Sequence, residues 1–216
     1  NPKLAPHGTH RLVTPGPPRE PTAPGRYIAT RPSGRRGLAI AAAAAEAGAR
    51  VTLVAGPVHL PTPAGVMRVD VETALEMEKA VHEALPSDIA VMVAAVADWR
   101  ADDRAPQKTK KKGKAPAPLK PTENPDILAG LAKHEQRPGL LIGFAAETEK
   151  IAEHARAKRQ KKDCDWIVAN DVSGDVMGGG ENSVHIVTAD GEEIWERLPK
   201  PEVARRLVRK IIKEST

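Results

Sequence analysis

Short, fully apolar runs recur along the chain. They alternate with stretches in which apolar residues return every three or four positions. Val51–Ala55, Ile89–Ala94, Leu140–Ala145 and Ile167–Ala169 are of the first kind, the pattern of strands buried on both faces. Arg11–Thr14 is a shorter run that ends in the turn sequence PGPP. Helical patterns lie between them. Gly34–Ala47 is predicted as a helix capped by Ser33 and stopped at Gly48. Thr73 and Glu76 have the spacing of a capping box, and the helix behind them puts Met77, Val81, Ala84 and Leu85 on one face. Asn124-Pro125 reads as the cap and first turn of a third helix. Thr148 reads as the cap of a fourth, reaching about Lys161. Ser183–Thr188 and Glu192–Arg197 flank Asp190-Gly191, a hairpin signal. Pro201 begins a last helix with Val203, Leu207, Val208, Ile211 and Ile212 facing inward. Arg19–Arg31 is irregular and rich in proline, and Trp99–Glu123 has no periodicity.

Apolar strands alternating with helices predict an α/β fold, a doubly wound, mostly parallel sheet closed by a C-terminal antiparallel hairpin. Ligands of such sheets bind beyond the carboxyl ends of the strands. Those ends fall at Pro15-Gly16, Gly56-Pro57, Ala94–Asp98, Phe144–Thr148 and Asn170-Asp171. Residues 1–10 read as a tail or linker, and residues 11–216 as one domain without internal repeats. The aperiodic stretch of about 25 residues at 99–123 is of the length at which a loop is a functional lid or disordered.

Composition narrows the chemistry. One cysteine, Cys164, closes no intrachain disulfide and builds no thiolate metal site. The Ala-rich stretch Leu38–Ala45 is too short to span a bilayer, and no apolar run reaches the ~18–20 residues needed. A soluble, cytoplasmic protein with no membrane contact is therefore expected. The net charge of +5 suits a phosphate-rich ligand or a weak nucleic-acid contact without choosing between them. With three Trp, one Tyr and one Phe, base-stacking platforms for single strands are disfavoured.

Five features carry candidate chemistry, each beside a plainer reading. The turn TPGPPREP, Thr14–Pro21, lets backbone approach an anion beside Arg19, or is only a proline-rich loop. RYIATRPSGRRG, Arg26–Gly37, sets free amides at a helix start among arginines. That is a phosphate cradle, or an ordinary serine cap. Asp98, past a strand end, suits Mg²⁺ on a polyphosphate, or is a surface turn residue. The run QKTKKKGK, Gln107–Lys114, is a lysine lid, a solvated charge run or a basic nucleic-acid tail. Lys158 and Lys162, four apart on one helical face, suit a nucleotide or plain solvent. No histidine has metal-ligand spacing.

Taken in order, TPGPPREP, RYIATRPSGRRG, VTLVAGPV with LPTPAGV, AAVADWR, APQKTKK, NPDILAGL, GFAAETE and DWIVANDV resemble the phosphopantothenoylcysteine synthetase family. This is the domain that follows a flavin-dependent decarboxylase in the bifunctional bacterial coenzyme A enzyme. The blocks run from about Leu12 to Asp171. The resemblance implies a Rossmann-like, cytoplasmic, homodimeric ligase that takes CTP with Mg²⁺, 4′-phosphopantothenate and L-cysteine. It implies an acyl-cytidylate intermediate and no nucleic-acid or membrane partner. By matching motif, Lys108 is the lid lysine that steadies the α-phosphate. Arg26 falls beside the acyl intermediate, and Ser33 and Gly34 fall in the phosphate-binding turn. Met92, Val93, Ala94, Asp98, Asn124, Pro125, Asp126, Ile127, Phe144, Lys158 and Lys162 match nucleotide-binding positions, Asp98 also as the expected metal carboxylate. Residues 1–10 then correspond to the remnant of the linker.

The chain departs from that pattern where the acyl group is handled. Thr30 stands where the family usually has the Asn credited with holding the acyl-cytidylate. Pro32 replaces a Ser, and Arg35 a Lys. Three other readings stay beside the ligase: a nucleotide-binding homologue whose synthesis step is impaired, a nicotinamide-dependent oxidoreductase, and a basic nucleic-acid binder built on Lys108–Lys114. The glycine fingerprint GxGxxG of nicotinamide sites is absent after the first strand, which speaks against the oxidoreductase.

Overall fold

A computed structural model describes residues 10–14, 20–23, 26–28, 34–57, 60–93, 99–101, 121–123, 125–147, 149–171 and 181–214. In chain order the elements are β1 (His10–Thr14), β2 (Glu20–Ala23), β3 (Arg26–Ile28), α1 (Arg35–Glu46), β4 (Arg50–Ala55), β5 (Val66–Asp70) and α2 (Ala74–Glu83). They continue with β6 (Ile89–Met92), β7 (Trp99–Ala101), β8 (Pro121–Glu123), α3 (Ile127–Ala132), β9 (Leu140–Glu147), α4 (Ile151–Lys162) and β10 (Trp166–Asp171). The chain ends in β11 (Glu181–Thr188), β12 (Gly191–Pro199) and α5 (Lys200–Glu214).

Eight strands form one sheet in the order β12-β11-β10-β9-β6-β1-β4-β5. The six strands from β10 to β5 are parallel, while β11 and β12 run antiparallel. Numbered along the chain, the parallel strands lie in the order 3-2-1-4-5-6, the doubly wound Rossmann-like arrangement expected from sequence. Alternation along each buried strand feeds two cores. Val51 and Leu53 of β4, Ile89 and Val91 of β6, and Trp166 and Val168 of β10 meet α1 and α5 on one face. Val54, Ala90, Met92, Ile167 and Ala169 meet α2, α3 and α4 on the other.

The edges and caps differ from the sequence expectation. β5 was not expected: as an edge strand, most of its side chains face solvent, and it lacks the apolar run that marks its neighbours. Within the stretches read as irregular, β2 pairs with β3 and β7 with β8, both antiparallel. The cap of α1 is Gly34 in the left-handed conformation (φ 64°), with no side-chain cap, rather than Ser33. The cap of α3 is Asp126 rather than Asn124, and the helix opens at Ile127 rather than Pro125. α4 follows Lys150 (φ 45°) rather than Thr148. α2 is capped as expected, Thr73 Oγ1 accepting from Glu76 N at 3.1 Å. The hairpin turn is Ala189-Asp190, one residue earlier than expected, with Thr188 opposite Gly191. The lid residues 102–120 lie outside the described residues.

Candidate functional site

The strand order reverses between β1 and β6, since β1 pairs with β4 on one side and β6 on the other. In such sheets the crevice beyond the carboxyl ends at this point receives ligands. Thr14 and Met92 are register partners there, both buried, and the Thr14 hydroxyl donates to Met92 Sδ at 3.8 Å. Met92 is also opposite Gly143 of β9. Val93, just past the end of β6, and Phe144, within β9, are therefore the next residues out beyond that pair, both half-buried.

The start of α1 follows β1 in the winding. No acidic residue lies in its first turn, which carries Arg35 and Arg36. The first amides of a helix lack intrahelical partners and form its positive end. Arg36 is half-buried, its Nε has no hydrogen-bond partner among the described residues, and burial pulls its pKa down. Two guanidinium groups at the positive end of a helix oppose its dipole.

The second cationic element is α4. His154, Lys158 and Lys162 recur every four residues, so they share a face. The ammonium of Lys158 lies 2.5 Å from Glu147 Oε1, and His154 Nδ1 lies 3.2 Å from Glu147 Oε2. Lys162 is ion-paired with Asp126 Oδ2, while Asp126 Oδ1 accepts from Ala129 N at 3.0 Å. One carboxylate thus caps α3 and ties it to the end of α4. Pro125 precedes this cap, and Ile127 behind it is buried at 1 % exposure.

Of the residues singled out from sequence, Lys162 and Asp126 are brought together, and Met92, Val93 and Phe144 lie side by side on β6 and β9 or just beyond. Gly34 is at the start of α1, and Arg26 lies in β3, paired with Ala23. Thr30, Ser33, Ala94, Asp98, Lys108 and Asn124 lie outside the described residues. Sequence reasoning passed over Glu147, His154 and Arg36. The His-x₃-Lys-x₃-Lys spacing was a legible signal for His154, whereas Glu147 gains meaning only from the strand that carries it. Three cavities of about 260, 350 and 410 Å³ among the described residues include none of the candidates. No group of three or more His, Cys, Asp or Glu that could hold a metal occurs among the described residues. Asp126 and Glu147 are each engaged by a lysine, so neither of these two carboxylates fits a magnesium site as it stands. No helix among the described residues is long and apolar enough to cross a membrane.

Fold and strand order together define a Rossmann-like α/β domain that carries the cationic helix elements α1 and α4. The chain belongs to the family described as the DNA/pantothenate metabolism flavoprotein C-terminal domain, which it matches over residues 6–215. It is 46% identical over 206 residues to the coenzyme A biosynthesis bifunctional protein CoaBC of Escherichia coli K12, covering 93% of this chain and 51% of that protein. The CoaBC of Vibrio cholerae is 47% identical over 178 residues, covering 82% of this chain and 44% of that protein. The chain spans about half the length of the curated relatives it matches. The crystal structure of a CoaBC C-terminal domain superposes with a TM-score of 0.78 at 36% identity, covering 96% of each chain.

Proposed function

We propose that the chain is a CTP-dependent ligase that joins 4′-phosphopantothenate to L-cysteine. A carboxylate resists nucleophiles, so it must first be activated. In the proposed reaction a carboxylate oxygen of phosphopantothenate attacks the α-phosphorus of CTP. The P–O bond to the β-phosphate breaks and pyrophosphate leaves, giving an acyl-cytidylate. The cysteine amine then attacks the acyl carbon, loses its proton and expels CMP as the amide forms. Both steps move charge on phosphate oxygens, which fixed amides and cations stabilise.

The observation that carries the reading is the start of α1. Arg36, its Nε buried without a hydrogen-bond partner among the described residues, and a helix end with neither a side-chain cap nor an acid in its first turn leave positive charge at the carboxyl edge of the sheet that an anion would relieve. The Ser33-Gly34 turn would take a substrate phosphate there, with Arg26 and Thr30 beside the acyl group. Lys158 and Lys162, on the shared face of α4, would serve the nucleotide with Asp126 and the strand ends Met92–Val93 and Phe144. Lys108, on the lid, would follow the α-phosphate. Magnesium would come with CTP, shielding its polyphosphate, with Asp98 as its protein ligand. A homodimer, working with a decarboxylase that supplies or consumes adjacent intermediates, belongs to the same proposal. The 46% identity to a coenzyme A biosynthesis protein supports it.

A pyrophosphate-release assay with CTP, phosphopantothenate and magnesium, followed by cysteine, tests the reading. Release that requires phosphopantothenate, and CMP with the amide product, is the expected result. The presence of Thr30 where the resembling family has Asn favours one second reading, a homologue that binds nucleotide without synthesis. That reading expects nucleotide binding by calorimetry, no pyrophosphate, and release restored by Thr30→Asn. A chain that neither binds CTP nor releases pyrophosphate overturns both.

A further inference from the structure

The nucleotide role given to α4 leaves Glu147 and His154 without a task. Resting on that reading, we propose that Glu147 is a positioning residue for the nucleotide: its carboxylate holds the Lys158 ammonium in place as an ion pair and leaves the Lys158 donors for the ligand.

The geometry is that of an anchor. Glu147 is the last residue of β9, opposite Asp171 in β10, so its backbone is fixed by the sheet. Its two oxygens are divided between two side chains of α4, Oε1 to Lys158 at 2.5 Å and Oε2 to His154 at 3.2 Å. An ionised carboxylate only accepts, so His154 Nδ1 carries the hydrogen and donates it. The Glu147 side chain is 11% exposed, that of Lys158 45% and that of His154 42%. The carboxylate is the inner partner and the cations the outer ones, so an anion arriving from solvent meets Lys158 first. An ammonium has three donors. Lys158 meets Glu147 as an ion pair, Oε1 having no hydrogen-bond partner among the described residues, so the donors of the ammonium remain for a ligand. A lysine held in this way loses its rotamer freedom on folding rather than on binding, which favours affinity. The neighbouring pair is built the other way round. Lys162 is 28% exposed and Asp126 43%, so Asp126 covers its lysine instead of presenting it. Only Glu147 has the anchoring arrangement of the two.

The test is steady-state kinetics and calorimetry on the full chain with CTP as the probe, comparing wild type, Glu147→Gln, Glu147→Asp, Lys158→Met and the Glu147→Gln/Lys158→Met pair. Glu147→Gln is expected to raise KM and Kd for CTP roughly 5- to 20-fold, the scale of losing one partly buried charge pair. It should leave kcat and the KM for phosphopantothenate within about two-fold, on that same scale. Glu147→Asp, which keeps the charge, should recover part of the loss. In the Lys158→Met background, Glu147→Gln should have no further effect on CTP, whereas a merely structural role would weaken binding in either background. Wild-type turnover with CTP affinity unchanged or tightened in Glu147→Gln, or equal losses in both backgrounds, overturns the positioning role alone. A wild-type chain that binds no CTP overturns the role together with the reading on which it rests.

Discussion

Gly143 sets how closely α3 can approach the sheet, and Gly143→Ala tests that closeness. Gly143 lies in β9 between Met92 of β6 and Ile167 of β10. A Cβ built on it falls 2.6 Å from Leu128 Cδ2 and 3.0 Å from Ile167 Cδ1. Carbon atoms pack best at about 3.5–4.0 Å, so Leu128 has to retreat by roughly 1 Å. Leu128 is the second residue of α3, two beyond the Asp126 cap that holds Lys162. Overpacking of this kind costs about 1–3 kcal/mol. At roughly 2–4 °C per kcal/mol for a chain of this size, Tm should fall by about 2–12 °C. Both clashing groups are side-chain ends, so relief by rotamer change places the effect toward the lower part of that range. The assay is urea and thermal unfolding of wild type, Gly143→Ala, Leu128→Ala and the double variant. Leu128→Ala opens space that the new methyl group fills. The double variant should therefore be more stable than the sum of the single losses predicts, by more than the ~0.5 kcal/mol scatter of independent sites. A Gly143→Ala protein within about 0.5 kcal/mol of wild type, or strictly additive losses, would refute the close-approach argument.

Two further outcomes follow from buried polar groups. Arg11 of β1 is 2% exposed, its Nε and Nη1 have no hydrogen-bond partner among the described residues, and burial lowers its pKa against a smaller opposing pull from Asp88. Arg11→Met should therefore raise the urea midpoint, by about 1–4 kcal/mol of stability at unchanged m-value; a lower midpoint would show that the guanidinium is compensated. Cys164 is 4% exposed, and burial pushes its thiol from 9.0 up to about 11. The unfolded chain loses this proton first, so this group's contribution to stability falls as pH rises from about 9 to about 11, by roughly 2–3 kcal/mol. A native thiol that labels with a disulfide reagent at pH 8 as fast as the unfolded one, or a Cys164→Ala variant with the same decline above pH 9, would contradict this.

What was legible in the sequence was the part written in period and run length. Ile89–Met92 and Trp166–Asp171 declare themselves because both faces of a central strand are covered and every residue must be apolar or paired. Val66–Asp70 does not, because an edge strand needs no such run. The caps failed for a different reason. Ser33, Asn124 and Thr148 are good cap residue types, but the chain turns into its helices at Gly34, Asp126 and Lys150. Residue preference ranks side chains and does not locate the residue at which φ and ψ become helical. At the site, the spacing of Lys158 and Lys162 was enough to place them on one face. It was not enough to show that each has a carboxylate partner, since Glu147 and Asp126 lie 11 and 36 positions away along the chain.

Those two ion pairs bear on how such a site can be both stable and receptive. The described part of α4's cationic face is neutralised pair by pair, Lys158 by Glu147 and Lys162 by Asp126. A helix with three basic residues in its last turn and one acidic residue in its first is already matched to its dipole. It therefore has no electrostatic need of a ligand. The start of α1 is the opposite case at Arg36, which stands at the positive end with no acid in the first turn and with its Nε buried without a partner among the described residues. An anion bound there removes a repulsion, whereas an anion bound at α4 meets cations already held in place by carboxylates and relieves none. Affinity should thus respond more steeply to charge removal at Arg36 than at Lys162, because at Arg36 no protein carboxylate among the described residues competes for the same cation.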